Sequence, residues 1–224
     1  MADGEEGAGL EDWTDPSIAS SAEVSDAGLL QRAWRNEKLS PELLPFQGEL
    51  VERVKEQILL EEENLAAFVE ESCDELTVSL YRMDLDRTLF MLRSYLRARL
   101  LKIEKFALHI LTVPEIWERL SSQEQDYAQR FADTLQAHFD SSVLNKLPEG
   151  YKSMLKQANS SNENDMIVEP PLDSFVFCKC RRPISAFQLD DKGESIVDME
   201  NGDLYIFNYK PIKRLLETDR IELF

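Results

Sequence analysis

The chain has 224 residues, of which 43% are hydrophobic, and a formal net charge of −18. This length and composition allow one or two domains with a proper hydrophobic core. The negative charge argues against broad, nonspecific binding to phosphate backbones or anionic membranes, and favours protein partners. No cationic segment precedes an apolar one at the N-terminus, and no apolar run approaches about 18 residues. We therefore expect a soluble, intracellular protein.

Residues 1–27 contain many carboxylates and no Lys or Arg, a composition typical of a disordered acidic tail. Leu10 and Trp13 lie among these carboxylates and could act as the apolar anchors of a short docking motif. The simpler interpretation is that the tail only keeps the protein soluble.

Two amphipathic helices are predicted next, over residues 27–38 and Gly48–Glu70. Trp34 in the first helix is expected to anchor the core. The second helix has an apolar face that includes Val51 and Ile58, and the rest of its surface is rich in glutamate. This acidic helix is the expected counterpart of a basic helix that follows it.

A long central helix is predicted over residues 76–111, because no Pro or Gly interrupts an apolar pattern with helical spacing. A capping box at Ser72-Cys73-Asp74-Glu75 is expected to start it. Two apolar stripes lie almost on opposite faces of this helix, so it needs cover on two sides. We expect the first stripe to pack inside the chain and the second to meet a partner; the reverse arrangement is the alternative. The first stripe comprises Leu85, Leu89, Leu92, Leu96, Leu100, Ile103, Ala107 and Ile110; the second comprises Met83, Phe90, Leu101 and Leu108.

The central helix is also strongly basic, although the whole chain is acidic. Acidic groups are therefore expected to lie against it, either carboxylates of Gly48–Glu70 or carboxylates of a partner. Removing one arginine would then leave an acidic neighbour unpaired. The alternative is a cationic face that contacts only solvent. The residues for which pairing is expected are Arg93, Arg97, Arg99 and Lys102.

The central pattern ends at Pro114, and Ser121-Ser122-Gln123-Glu124 has the form of a second capping box. A further helix is predicted from there to about Leu144, so that residues 28–150 form a helical bundle domain. Residues 151–170 are polar and non-periodic and end in Pro170-Pro171. This composition is typical of an interdomain linker.

Beyond the linker the hydrophobic period changes to two, which predicts a small β-rich domain over residues 171–224 and an α+β fold overall. Strands are expected over 174–180, 195–199, 204–209 and 220–224, with Pro211 at the first position of a helix. Asn201-Gly202 is a strong hairpin signal, and a meander is the simplest topology. A domain this small has a marginal core, so some of its aromatic residues are expected to face a partner: Phe175, Phe177, Tyr205, Phe207 and Phe224.

No catalytic or ligand-binding pattern stands out. His109 and His138 lie in helical patterns among apolar neighbours, and Cys178 and Cys180 have no second Cys or His pair nearby with which to form a zinc site. Phosphate-binding, dinucleotide-binding and nucleophile-elbow motifs are missing. We therefore predict a protein that is not an enzyme and has no cofactor or metal.

Three passages carry a resemblance to a known family. Ala33-Trp34-Arg35-Asn36-Glu37-Lys38 with Pro41-Glu42-Leu43-Leu44, the run from Leu92 to Lys105, and the run from Pro171 to Phe177 resemble the Sld-five (Go) subunit of the GINS complex. The run Leu92–Lys105 is the most specific of the three. The acidic tail carries no clear copy of the replisome docking motif of some relatives.

The resemblance implies a non-enzymatic scaffold subunit in the nucleus. Such a subunit assembles with three sister GINS subunits into a heterotetramer, which joins the MCM hexamer and the Cdc-forty-five protein in the replicative DNA helicase. DNA is contacted only indirectly, and no membrane is involved. The rival hypothesis is a single-strand nucleic-acid-binding protein that stacks bases on Tyr95 or Phe90. The expected partner-interface residues are Met83, Phe90, Arg93, Tyr95, Arg97, Arg99, Leu101, Lys102, Leu108, Phe175, Phe177 and Phe224.

Overall fold

The structure is a computed structural model that describes residues 25–70, 74–158, 160, 164–189 and 196–224. A helical bundle is followed by a small β-rich domain, which confirms the predicted α+β class. Almost all of the predicted acidic tail, and Ser72 of the predicted first capping box, lie outside the described residues. Between 151 and 174 the described residues contain no helix or strand.

The bundle is built from helices whose positions follow the sequence pattern closely. The first two helices confirm the predictions to within one residue at each end. The capping box at Ser121 is also confirmed: the Ser121 hydroxyl accepts the Glu124 N–H, and the Glu124 carboxylate accepts the Ser121 N–H. The helices are α1 (Asp26–Leu39), α2 (Gly48–Glu70), α3 (Glu75–Lys105), α4 (Ala107–Thr112), α5 (Pro114–Trp117) and α6 (Ser122–Ser142), with a short 3-10 turn at Leu144–Lys146.

The central helix α3 is shorter than predicted. It starts at Glu75 with Asp74 as the N-cap, whose carboxylate accepts the Thr77 N–H. It ends at Lys105 because Phe106 leaves the helical conformation, with φ −112° and ψ 20°. No Pro or Gly marks this break. Phe106 is instead buried beside Ile110 in a core cluster with α6, so packing decides where the helix bends.

Two apolar clusters hold the bundle together. Leu30 of α1, Val54 of α2 and Leu92 of α3 belong to the first cluster, and Ile103 and Phe106 belong to the second. Burying one such side chain fully contributes roughly 1.5–3 kcal/mol to the free energy of folding. Because these clusters contain Leu92 and Ile103, the first predicted stripe of the central helix is the one that packs inside the chain. Leu100 at the edge of this stripe is exposed.

The β-rich domain contains two separate sheets. A three-stranded antiparallel sheet has the order β4-β1-β5, with Phe177 opposite Ile206 and Cys178 opposite Leu223. A two-stranded antiparallel sheet pairs β2 with β3. The elements are β1 (Phe175–Cys180), β2 (Ile184–Gln188), β3 (Ile196–Met199), β4 (Leu204–Asn208), α7 (Tyr209–Glu217) and β5 (Ile221–Leu223).

The predicted meander is wrong. Strand β1 lies in the middle of its sheet, between two strands that come later in the chain. Asn201-Gly202 connects β3 and β4, which do not pair with each other, so the predicted hairpin is wrong as well. Gly202 has φ 90°, and its N–H donates to the Cys180 carbonyl at 2.7 Å. The turn is therefore used to bind the end of β1.

Two further details of this domain differ from the sequence prediction. Strand β2 was not predicted; it contains a register shift and Ala186 at φ 53°, which interrupt the alternation expected of a strand. Helix α7 starts at Tyr209, so Pro211 occupies its third position and not its first. Proline is tolerated there because the N–H groups of the first turn have no partner inside the helix.

Candidate assembly interface

The second apolar stripe of α3 is exposed. Met83, Phe90 and Leu101 are 68%, 61% and 59% exposed, whereas Leu108, beyond the break at Phe106, is half-buried. Phe90 contacts Trp34 of α1 edge-on, with ring centroids 6.3 Å apart. Large apolar side chains exposed along one helix face are typical of a protein-binding surface.

Basic side chains border this exposed stripe. Arg93, Arg97 and Lys105 are all exposed, and none of them forms an ion pair within the described ranges. Lys38 lies nearby on α1, with its ammonium 5.3 Å from the Trp34 ring centroid. This surface therefore combines apolar and cationic groups.

Arg99 has a different role, because its side chain is completely buried. Nε and Nη2 donate to the two carboxylate oxygens of Glu124 at 2.7 and 3.0 Å, and Nη1 donates to Glu37 at 3.0 Å. The carbonyls of Leu44 and Arg119 accept the two remaining N–H groups, at 2.7 and 3.2 Å. Burial opposes the charged form, but Glu124 and Glu37 outweigh it and raise the pKa of Arg99. All five guanidinium donors are thus used inside the chain.

Lys102 extends the same network. Its ammonium donates to the Glu37 carboxylate at 2.8 Å, to the Ser40 hydroxyl at 2.8 Å, and to the carbonyls of Glu37 and Glu42. Burial lowers the pKa of Lys102, and the charge of Glu37 opposes this effect. Arg99 and Lys102 therefore fix the chain segment after α1 against the central helix.

These contacts correct two sequence predictions. The carboxylates that pair with Arg99 and Lys102 belong to Glu37 and Glu124, and not to the acidic helix Gly48–Glu70. Tyr95 and Arg99 are also wrong as partner-interface residues, because their side chains are 1% and 0% exposed. The Tyr95 hydroxyl accepts the Gln47 N–H at 3.3 Å inside the bundle.

A second ionic group joins the bundle to the β-rich domain. The Glu42 carboxylate accepts hydrogen bonds from the Tyr209 hydroxyl at 2.9 Å, from Lys213 at 2.7 Å and from Arg119 at 3.1 Å. Glu42 is buried, so these three donors replace its hydration. Sequence analysis missed this role, although Glu42 lies in one of the passages that carry the family resemblance.

Strand β5 is held directly against α1. The side-chain oxygen of Asn36 accepts the Leu223 N–H at 2.9 Å, and Arg35 lies 3.4 Å from the Glu222 carboxylate. Asn36 thereby satisfies a backbone donor at the edge of the sheet that would otherwise stay unpaired. The two parts of the chain are joined by these contacts as well as by the segment that connects them.

The outer face of the three-stranded sheet is aromatic and exposed. Phe175, Phe177 and Phe224 are each more than half exposed, and the guanidinium of Arg35 lies 5.6 Å from the Phe224 ring centroid. The opposite face, which includes Val176, Cys178 and Cys180, is buried against α7. The sheet thus has one face in the core and one apolar face uncovered.

The described residues do not support other kinds of site. Cys178 and Cys180 are buried free thiols, and burial raises the pKa of Cys178 to about 11, so neither is an activated nucleophile. The residues that the structure describes contain no group of three or more His, Cys, Asp or Glu arranged to hold a metal ion. Within the same residues, no helix has both the length and the apolar character needed to span a membrane.

Comparison with known proteins agrees with the observed fold. Residues 53–143 match the family model described as "GINS complex protein helical bundle domain", and residues 170–224 match "DNA replication complex GINS protein SLD5 C-terminus". The chain belongs to the GINS SLD5 family. The two SLD5-family matches fall on the helical bundle and on the β-rich domain, respectively.

Individual SLD5 proteins are similar to the chain over most of its length. One from Arabidopsis thaliana is 53% identical over 202 residues, which cover 89% of this chain and 91% of the relative. One from Homo sapiens is 33% identical over 204 residues, covering 87% and 86%. One from Schizosaccharomyces pombe is 31% identical over 215 residues, covering 95% and 98%. Each of these relatives is named DNA replication complex GINS protein SLD5.

Proposed function

We propose that this chain is a non-catalytic scaffold subunit of a GINS complex and that it acts in DNA replication in the nucleus. The observation that carries the proposal is the similarity to SLD5 proteins, which extends over about nine-tenths of the chain and of the Arabidopsis relative. Similarity over that length includes both the bundle and the β-rich domain. The proposed partners are three sister GINS subunits, in a heterotetramer.

The surface of the chain supports a scaffold role. The buried cations of the central helix are paired with Glu37 and Glu124. Met83, Phe90 and Leu101 on its other side are each more than half exposed. A helix whose inner face is fully packed and whose outer face is apolar is suited to bind a further helix. The aromatic face of the sheet offers a second uncovered apolar surface.

Within the proposed assembly, the heterotetramer joins the MCM hexamer and the Cdc-forty-five protein in the replicative helicase. ATP hydrolysis then belongs to MCM, and DNA is contacted only through the assembled complex. The chain contributes shape and binding surfaces and no chemical step.

Co-expression with three sister subunits, followed by sizing, tests the proposal. We expect the wild-type chain to elute with its sisters at the mass of a tetramer, and Leu101→Glu to weaken this association. Leu59→Glu is a matched control, because Leu59 is exposed to nearly the same extent on α2. A monodisperse wild-type monomer that ignores the sisters would contradict the scaffold function.

A second candidate function is binding of single-stranded nucleic acid, because cationic side chains are exposed on the central helix. Arg93, Arg97 and Phe90 are available for it, whereas Tyr95 is buried and is excluded as a stacking platform. Salt-dependent retention of the purified chain on single-stranded DNA, abolished by Arg97→Ala, would support this function. No retention at physiological salt would favour the scaffold.

A further inference from the structure

One region of the exposed surface has a distinct chemical character, which we name the cationic patch: Phe90, Arg93, Arg97, Leu101 and Lys105. With about 100° between successive residues, Arg97 and Leu101 lie only about 20° to either side of Phe90 around the helix axis. Arg93 and Lys105 flank this line at about 60° on opposite sides. The patch is about 22 Å long at 1.5 Å of rise per residue, which is enough for four turns of a second helix.

The charges of the patch form no ion pair with any residue that the structure describes, and the Lys105 ammonium lies 5.1 Å from the Phe106 ring centroid. Three carboxylates of the bundle are already engaged: Glu37 and Glu124 bind the buried cations, and Glu104 accepts the Tyr127 hydroxyl at 2.5 Å. The patch therefore presents three basic groups around two exposed apolar side chains, in a chain whose net charge is −18. Arginines beside a large apolar residue are the composition typical of binding hot spots.

This inference rests on the proposed function and concerns the chemistry of the partner. We propose that the segment that covers the cationic patch is an amphipathic helix of a sister subunit, with apolar residues at its centre and Asp or Glu on its flanks. The apolar residues would cover Phe90 and Leu101, and the carboxylates would pair with Arg93, Arg97 and Lys105. A straight helix surface of this length matches the ridges and grooves of another helix, and guanidinium groups bind carboxylates in a bidentate manner.

Nucleic acid fits the patch less well than an acidic helix does. A phosphate backbone would neutralise the three cations but would leave the side chain of Leu101 exposed to water. The acidic remainder of the chain would also repel a long polyanion. An acidic amphipathic helix satisfies both the apolar and the charged parts of the patch.

Charge-changing variants in the co-expressed complex test this proposal. We expect Arg93→Glu/Arg97→Glu to weaken assembly at least about tenfold, and Arg93→Gln/Arg97→Gln to weaken it less. The loss caused by the neutral variant should shrink as salt is raised, because screening weakens the same ion pairs in the wild type. Arg130→Glu, an exposed reversal on α6, is the control and should assemble normally.

Zero-length cross-linking identifies the partner groups. A carbodiimide activates a carboxylate, which then forms an amide bond with a lysine ammonium after loss of its proton. We expect mass spectrometry of the wild-type tetramer to find Lys105 joined to an Asp or Glu of a sister helix. The cross-link should be lost in Lys105→Arg, which keeps the charge but removes the reactive amine.

The outcomes separate this proposal from the proposed function. If the wild-type tetramer forms, but reversal of Arg93 and Arg97 has no effect and Lys105 gives no cross-link to a carboxylate, the acidic-helix proposal is overturned and the scaffold function stands. If no tetramer forms with the wild-type chain, the scaffold function itself fails. Retention on single-stranded DNA that is lost in Arg93→Glu/Arg97→Glu would also overturn the proposal.

Discussion

The hydroxyl of Tyr209 donates a 2.9 Å hydrogen bond to the carboxylate of Glu42, across 167 residues of sequence. The same carboxylate accepts Lys213 of α7 and Arg119, which precedes α6. One buried glutamate therefore connects the segment after α1, the connection between α5 and α6, and the helix of the β-rich domain.

We expect Tyr209→Phe to lower the free energy of unfolding by about 1.5–3 kcal/mol, the range for a hydrogen bond to a charged group. Glu42 is buried and would lose one of its three donors. Chemical denaturation measured at neutral pH checks this value. Tyr205→Phe is the control, because the Tyr205 hydroxyl bonds at an exposed site. It should lower the free energy of unfolding by less than Tyr209→Phe does. Equal losses in the two variants would contradict the importance assigned to Glu42.

Arg99→Met should be strongly destabilising, by about 3–5 kcal/mol, because it leaves the buried Glu124 without its cation and the buried Glu37 with Lys102 alone. Arg97→Met, an exposed change two residues earlier, should stay within about 0.5 kcal/mol. Thermal or denaturant unfolding of both variants measures the difference.

The double variant Arg99→Met/Glu124→Gln should lose less stability than the sum of the losses in the two single variants, because the two side chains interact. Strict additivity would show that the pair is not coupled.

Ser121→Ala should reduce stability by about 1 kcal/mol, because its hydroxyl accepts the Glu124 N–H at the start of α6. Ser122 is one residue further along and exposed. Ser122→Ala therefore makes the same substitution without removing the cap. The two variants are compared by denaturant unfolding. A loss from Ser122→Ala as large as that from Ser121→Ala would show that the cap is not responsible.

The stability of the protein should fall as the pH rises above about 9. Burial raises the pKa of the Cys178 thiol to about 11, with a smaller contribution from Cys180. In the unfolded chain a cysteine loses its proton near pH 9, so above that pH the unfolded state binds fewer protons than the folded state. The stabilisation is complete below the unfolded pKa and is lost as the pH rises through the folded pKa, by on the order of 2–3 kcal/mol in total.

Cys178→Ala isolates this effect. Unfolding measured between pH 9 and 10, before most tyrosines titrate, should show a smaller pH slope in the variant than in the wild type. The slope is compared and not the absolute stability, because removing the sulfur also leaves a cavity. Identical slopes would exclude Cys178 as the source of the alkaline loss.

The helices could be predicted from the sequence because their signals are local. Hydrophobic spacing gave the bounds of Gly48–Glu70, and the serine and glutamate at 121 and 124 gave the start of α6. The end of α3 at Phe106 could not be predicted in this way, because it depends on burial beside Ile110. The sheet order was not predictable either: β1 pairs with strands that lie far along the chain, and pairing over such distances leaves no local pattern.

The candidate interface was predictable in part. Helical spacing separated the exposed Phe90 and Leu101 from the stripe that packs inside, and the structure agrees with that separation. The charged residues could not be sorted in the same way, since Arg97 and Arg99 are two positions apart but one is exposed and the other is fully buried. Which cation is buried depends on where Glu37 and Glu124 lie in three dimensions, and neither position can be obtained from spacing along one helix.

The position of β1 between β4 and β5 has a consequence for synthesis. Synthesis starts at the N-terminus, so the bundle is made before the β-rich domain. Its helices can therefore form first, because helices are stabilised by contacts between residues close in sequence. The sheet cannot be completed until Leu223 has been made, because β5 is its last strand and pairs with β1. Until then Asn36 lacks its backbone partner. Glu42 lacks Tyr209 and Lys213 until α7 has been made. Termination between the end of α6 and the start of α7 would therefore leave a bundle in which Glu42 keeps only Arg119 of its three donors.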